Sequence, residues 1–212
     1  MFTDEIEYRL KYVFQSGFFE ISDTIFHFSE DSDDGKMALE LQVHNSSLCV
    51  MNLDKQKPIQ FLNQKKGFYG RRADYALFEF IGDKTCRIHI FEMTTTVNQG
   101  KWENKIKQQH KSSYIYCMAV AACLDVEVKQ VLFYTIYAKD DFSERVTADV
   151  AYNSALLKPP LGQYRPDPQE EWSRNTVKFD FGQWRTFLHE KINVSRQAEV
   201  YPTGTYEIRK IV

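Results

Sequence analysis

Two acids at the ends of one hairpin carry the chemistry that this sequence offers. The stretch "RRADYALFEFIGDKTCRIHIFEMTT", residues 71–95, alternates in the manner of strands and breaks at "GDKT". Asp74 stands near the start of the first arm and Glu92 near the end of the second. Carboxylates delivered by neighbouring strands are a common way to hold a hard divalent cation, which takes oxygen ligands. Both acids also have a plain reading. Asp74 can be a strand-opening acid paired with Arg71 or Arg72. Glu92, between Phe91 and Met93, needs a partner if it is buried. Register sets a condition on the metal reading. A plain two-residue turn on Asp83 and Lys84 would set position 74 opposite 93, and opposed residues share a face. Only a bulge or an odd loop length brings Asp74 to Glu92's side.

The elements that must position these acids follow from periodicity. Ile6, Leu10, Val13 and Phe14 mark a helix over 4–14, with Thr3 or Asp4 as N-cap and Gly17 beyond its end. "FFEISDTIFHF" reads as extended, and "SEDSDDG", residues 29–35, as an acidic solvated turn. "KMALELQVH" alternates with period two, so Met37, Leu39, Leu41 and Val43 face a core. "LCVMNL" follows as a strand. The loop "DKQKPIQFLNQKKGFYGRR" then mixes Lys65, Lys66, Arg71 and Arg72 with Phe68 and Tyr69, letters that suit contact with unstacked bases and also suit an ordinary surface loop. Residues 101–123 form the strongest helix, amphipathic at first and then almost wholly apolar, as a helix entering a core must be. "VKQVLFYTIYA", 128–138, is a long strand. Beyond it, 158–172 reads as a proline-rich loop, "TVKFDF" as a strand, "GQWRTFLHEKI" as a short helix, and "AEVYPTGTYEIRKIV" as a closing hairpin turning at Pro202–Gly204.

Composition narrows the function classes. The chain has 212 residues, 43% of them hydrophobic, enough for one sizeable core. Its formal charge is −2, which disfavours a surface built wholly for nucleic acid but permits a local basic groove. No apolar run is long enough for a membrane span, and the acidic N-terminus is unlike a signal peptide. Cys49, Cys86, Cys117 and Cys123 form no CxxC pair, so buried free thiols in a reducing cytoplasm are expected. The five histidines have no ligand spacing.

The order helix, strands, acid-bearing hairpin, helix, strand resembles the core of the PD-(D/E)XK nuclease superfamily, which includes restriction endonucleases and Holliday-junction resolvases. The matching residues are Asp74 in "RRADYALF" and Glu92 in "IHIFEMT", with the helix from Lys101 directly after. The resemblance covers residues 1–138. It implies an α/β fold with a mixed central sheet flanked by helices, a restriction endonuclease-like core, and 139–212 as a C-terminal α+β extension packed on the same domain. It also implies Mg2+ or Mn2+ held by Asp74, Glu92 and the Met93 carbonyl, with Glu7 of the first helix, or else Glu40, completing the set. The family lysine would fall at position 94, which is Thr94 here. Threonine carries no charge and can at most position a water, so Lys105, with Gln109 four residues on, is the expected substitute. Lys65, Lys66, Arg71, Arg72 and Lys101 would contact the nucleic acid, DNA or RNA. The function implied is metal-dependent phosphodiester hydrolysis in a phage, mobile-element or defence setting. The rival is the same fold without catalysis, binding a protein or nucleic-acid partner as an inhibitor or regulatory subunit. Residues 139–212 are open to a role in homodimerisation or substrate recognition.

Overall fold

The computed structural model describes residues 2–32, 35–57, 59, 62, 70–142, 165–194 and 203–208. Helix α1 (Asp4–Tyr12) is capped by Thr3, whose hydroxyl accepts from the Ile6 N–H. Strands β1 (Glu20–Ser22), β2 (Ile25–Ser32), β3 (Gly35–Gln42) and β4 (Ser47–Val50) follow, then a 3-10 turn at Leu53–Lys55. The acid-bearing hairpin is β5 (Tyr75–Gly82) and β6 (Thr85–Val97). One continuous helix comes next, as α2 (Gln99–Lys101), a π segment (Trp102–Ile106) and α3 (Lys107–Leu124). The chain closes with β7 (Glu127–Asp140), α4 (Pro168–Ser173), β8 (Thr176–Asp180), β9 (Trp184–Asn193) and β10 (Thr203–Glu207).

Seven strands form the main sheet in the order β1-β4-β5-β6-β7-β9-β8. Its β4, β5 and β6 are antiparallel, whereas β6, β7 and β9 run parallel. The long helix supplies the crossover from β6 to β7 that a parallel pair requires. On the helix face, Phe78, Ile88, Ile90 and Phe133 pack with Trp102, Ile106, Cys117 and Ala121. The other face carries Tyr75, Phe91, Met93 and Ile136, covered by Phe26, Phe28, Met37, Leu39 and Leu41 of a three-stranded sheet ordered β10-β3-β2. Apolar alternation in β2 and β3 thus closes one core, and the apolar half of the helix closes the other. No helix among the described residues is long and apolar enough to cross a membrane.

Four expectations are corrected. Residues 29–35 are not simply a solvated turn, because β2 pairs with β3 as far as Ser32↔Gly35, leaving 33 and 34 outside the described residues. "GQWRTFLHEKI" is not a helix. Trp184 to Leu188 pair with β8 and Leu188 to Asn193 with β7, and these ladder bonds outweigh a short helical pattern. Gly204 lies within β10, paired in parallel with Leu39, and not at a hairpin turn; residues 195–202 and 209–212 lie outside the described residues. The segment after 138 therefore supplies β8 and β9 to the main sheet and β10 to the small one. Val13, expected on the buried helical face, is 50% exposed because α1 stops at Tyr12.

Glu171 of α4 ties this later segment to the helix. It is 1% exposed, and both its carboxylate oxygens accept from Lys107 Nζ at 2.9 Å. Trp102 Nε1 (3.3 Å) and the Lys178 amide (2.7 Å) donate to the same carboxylate. Removing one member of a buried, fully bonded ion pair strands the other. Glu171→Ala should therefore destabilise the fold by about 3–5 kcal/mol, read from urea unfolding. A change below ~1 kcal/mol would show that the knot does not hold α4 and β8 to the helix.

Candidate functional site

The hairpin meets the register condition. At the turn Gly82 faces Thr85, but the ladder shifts between Phe80 and Gly82, and from there Phe80↔Cys86 leads to Tyr75↔Phe91. Ile81 is the extra residue. The ladder ends at Tyr75↔Phe91; counted one residue further, Asp74 comes level with Glu92, and its N–H donates to the Phe91 carbonyl at 3.0 Å. Glu92 shares the helix-facing side of β6 with Ile88 and Ile90, by alternation.

Much of the helix and the 3-10 turn serves to hold the chain that enters Asp74. Gln109 Nε2 donates to the Arg72 carbonyl (2.9 Å), and the Ala73 N–H donates to Ser113 Oγ (2.8 Å). Leu53 N–H donates to the Asp74 carbonyl (2.7 Å), while Arg72 Nε donates to the Leu53 carbonyl (2.9 Å). The Met93 N–H then donates to Asp74 Oδ2 at 2.6 Å, which fixes the carboxylate itself.

Glu92 is 0% exposed, and neither of its carboxylate oxygens has a hydrogen-bond partner. Lys105 Nζ lies 3.6 Å from Oε1, an ion-pair distance too long for a good hydrogen bond. Burial pushes the Glu92 pKa well above the usual carboxylate range, Asp74 adds to the rise, and Lys105 opposes it. Burial likewise raises Asp74 to about 7; the Met93 N–H opposes this, Glu30 and Asp54 add to it, and Lys105 opposes it. Two carboxyls that share one enclosed space cannot both ionise unless a cation compensates them. Lys105 belongs to the π segment, a wide turn of the kind that recurs at functional sites. It remains 43% exposed, so it is poised between the acids and solvent.

Glu30 was not expected here. It follows Phe26 and Phe28 in strand parity, and those two are buried. Phe28 stacks on Tyr75 with ring centroids 4.0 Å apart, and the Tyr75 hydroxyl donates to the Ser29 carbonyl (2.7 Å) and accepts from the Ser29 N–H (2.9 Å). Glu30 is thereby held close enough to raise both acids. Extending the alternation of "IFHFSE" one step would have found it; its polar run concealed it. Ser113 left no such signal, since a serine within an apolar helix looks like any other.

The remaining expected residues divide. Met93 is buried and its amide serves Asp74. Thr94 is 4% exposed, and its hydroxyl donates to the Thr96 carbonyl (3.1 Å). Gln109 is 7% exposed, with Oε1 unpartnered. Glu7 is misplaced as a ligand. Its neighbours Glu5 and Arg9 bind Lys84 and Asp125 at the turn end of the hairpin, roughly 20 Å along the strand from Glu92. Glu40 fares no better, because it lies on the opposite side of β3 from the buried Leu39 and Leu41. Arg72 is not a surface contact. It is 2% exposed, bonded to Leu53 and packed over the Tyr116 ring. Arg71 is exposed and Lys101 half-buried in the first helical turn, whereas Lys65 and Lys66 lie outside the described residues.

Among the described residues no group of three or more His, Cys, Asp or Glu is arranged to hold a metal ion. The donor set is two carboxylates, and the unpartnered oxygens of Glu92 suit a hard cation with water completing its shell. Beside Glu92 in the ladder stands Thr135, whose hydroxyl meets His189 Nε2 at 2.9 Å and His110 Nε2 at 3.5 Å. Burial lowers His110 to about 3 and His189 well below the usual histidine range, so both stay neutral there. No protein-family model, curated protein or solved structure matches the chain.

Proposed function

We propose that the chain is a metal-dependent nuclease of the PD-(D/E)XK kind in which Lys105 takes the part of the missing motif lysine. The observation that carries this reading is Glu92, fully buried with two unbonded oxygens and the Lys105 ammonium 3.6 Å away. A buried carboxyl with no hydrogen bond to either oxygen is costly, and such costs collect at functional sites. The strand order β4-β5-β6-β7, antiparallel and then parallel with a helical crossover, supports it too. Asp74 and Glu92 would hold Mg2+ or Mn2+. Bound there, the cation would stabilise charge on the scissile phosphate and lower the pKa of a water. Asp74 arrives oriented by the Met93 N–H. Lys105 offers a positive charge beside Glu92 that can meet a phosphate oxygen or orient the attacking water. Gln109 and Ser113 act indirectly, by fixing the backbone before Asp74.

Cleavage of single- and double-stranded DNA and RNA with magnesium or manganese tests the reading, and no cleavage of any of them would end it. Lys105→Ala should slow cleavage by about 10²–10³-fold, the usual cost of losing one preorganised charge-stabilising group. Thr94→Lys in that background should recover at least about tenfold, because it restores a cation at the motif position. Full activity in Lys105→Ala would remove Lys105 from the reaction.

One observation favours the rival, a nuclease-fold module without catalysis that binds a protein or nucleic-acid partner. The Thr94 hydroxyl is spent on the Thr96 carbonyl, so nothing at the motif position addresses the acids. Under that reading Asp74→Ala leaves partner binding unchanged.

A further inference from the structure

Beside Glu92, three side chains meet in the core. The Thr135 hydroxyl lies 2.9 Å from His189 Nε2 and 3.5 Å from His110 Nε2, and all three residues are at most 1% exposed. Among the described residues, Nδ1 of each histidine has no hydrogen-bond partner. Trp102 and Trp172 pack against the His189 ring, with centroids 4.7 and 5.4 Å away. An indole has one polar hydrogen and no polar acceptor, and here those hydrogens go to Glu171 and Asp140.

This arrangement decides where the protons sit. A neutral imidazole carries one N–H and one bare lone pair. Burial keeps both histidines neutral. A hydroxyl donates once, so at least one ring must hold its proton on Nε2. A proton on Nδ1 of the other would be a buried donor with nothing to receive it, at the cost of its desolvation. Placed on Nε2, each proton meets the Thr135 oxygen, whose two lone pairs can take one from each ring. The threonine hydrogen is then aimed at neither histidine.

The sheet supplies its acceptor. Across the strands at this level stand Glu92, Thr135 and Lys191, with Thr135 the register partner of both others. Neighbouring strands lie about 4.8 Å apart, and residues in register share a face. Lys191 is a donor, and it bonds the Trp172 carbonyl at 3.0 Å. Glu92 is the acceptor of the row, with both oxygens unbonded.

We infer that Thr135 is a positioning residue for Glu92, held by His110 and His189 so that its hydroxyl hydrogen serves one carboxylate oxygen and leaves the other to a divalent cation. A rotation of the Glu92 side chain closes this bond, and a carboxylate held at one oxygen presents the other in a single orientation. The inference rests on the nuclease reading for the cation, whereas the placement of the protons stands on separate residues.

Two measurements test it. NMR of the nitrogen-15-labelled chain in EDTA reads the tautomers: His110 and His189 should both show a protonated Nε2 and a bare Nδ1. A proton on Nδ1 of either ring would overturn the inference, and this readout needs no substitution that could disturb the fold. Calorimetric titration with manganese reads the consequence. Thr135→Val keeps the shape and loses the hydroxyl, and should weaken manganese binding about 10–100-fold, the usual effect of losing a group that orients a metal ligand. Thr135→Ser restores the hydroxyl and should recover most of the affinity. A role in packing alone would lower the thermal midpoint of Thr135→Val and spare the manganese affinity of the folded protein. Unchanged affinity in Thr135→Val, or no recovery in Thr135→Ser, would therefore also overturn the inference. Manganese binding that depends on Thr135, with no cleavage of any nucleic acid, would strike the nuclease reading alone. Cleavage and manganese binding undiminished in Thr135→Val would strike this inference alone, and a parent protein that binds no manganese would remove both.

Discussion

Glu92→Gln should abolish divalent-cation binding at the hairpin and reduce cleavage by at least about 10³-fold, while leaving the metal-free fold intact. The reason lies in the state of the carboxyl. Enclosed by protein and beside a second acid, Glu92 has its pKa raised well above the usual carboxylate range, which favours its neutral form in the metal-free protein. Glutamine has the same shape and is also neutral, so packing barely changes. What disappears is the capacity to become an anion when a cation arrives. Lys105, 43% exposed, can turn to water when its partner is gone, so no stranded charge offsets the conservative swap. Calorimetric titration with manganese reads the binding, thermal unfolding in EDTA reads the fold, and a labelled substrate reads the rate. A Glu92→Gln protein that binds manganese and cleaves normally would show that Glu92 is no ligand. A protein that unfolds in EDTA would show that the carboxyl serves the core.

Asp74 gives the second large effect, on stability against pH. Its carboxyl titrates near 3.8 when unconstrained and is raised to about 7 in the fold, with burial the largest cause. A raised carboxyl favours the folded state when protonated. Its contribution is therefore complete below the unfolded pKa and disappears as pH climbs through about 7. The full span corresponds to at most about 4 kcal/mol. Urea unfolding in EDTA across that window should show the wild type losing stability relative to Asp74→Asn, which cannot ionise. The comparison cancels carboxylates that respond in the opposite sense, such as Glu79, whose pKa is lowered beside His89 despite its burial. Adding magnesium or manganese above the folded pKa should return that stability, because a ligand that binds only the folded state shifts the balance toward it. Parallel curves for the two proteins, with or without cation, would mean that Asp74 is solvated in the native state.

The elements that frame the acids are legible in the residues because their patterns are strong and local. Met37, Leu39, Leu41 and Val43 alternate without interruption, and all four are buried. The apolar half of 101–123 sends Cys117, Val120 and Ala121 into a core, while Ala119, Ala122 and Cys123 stay exposed, so its all-round apolar pattern overstates its burial. Asp74 and Glu92 stand out because an acid inside an apolar strand demands an explanation. What the residues concealed was set by distant partners. β9 is a strand because β7 and β8 pair with it, and no window of "WRTFLHEKIN" contains either of them. Glu30 joins the acids because Ser29 is pinned by Tyr75, far along the chain. Arg72 looks like part of a basic surface run until the Leu53 carbonyl and the Tyr116 ring are brought to it. Short-range pattern reports which face is apolar; it does not report which element comes to cover it.

The extra residue at Ile81 gives the hairpin an unusual genetics. An exposed strand turn is ordinarily where a chain absorbs insertions and deletions without harm. Here the turn counts residues on behalf of acids at the far end of both strands. Losing one residue at the tip would move Asp74 out of step with Glu92, although neither acid nor anything touching it had changed. Any tolerated length change must come in compensated pairs, one on each arm. This turn, at the far end of both strands from the two acids, is therefore little free to vary in length, even where its letters are interchangeable.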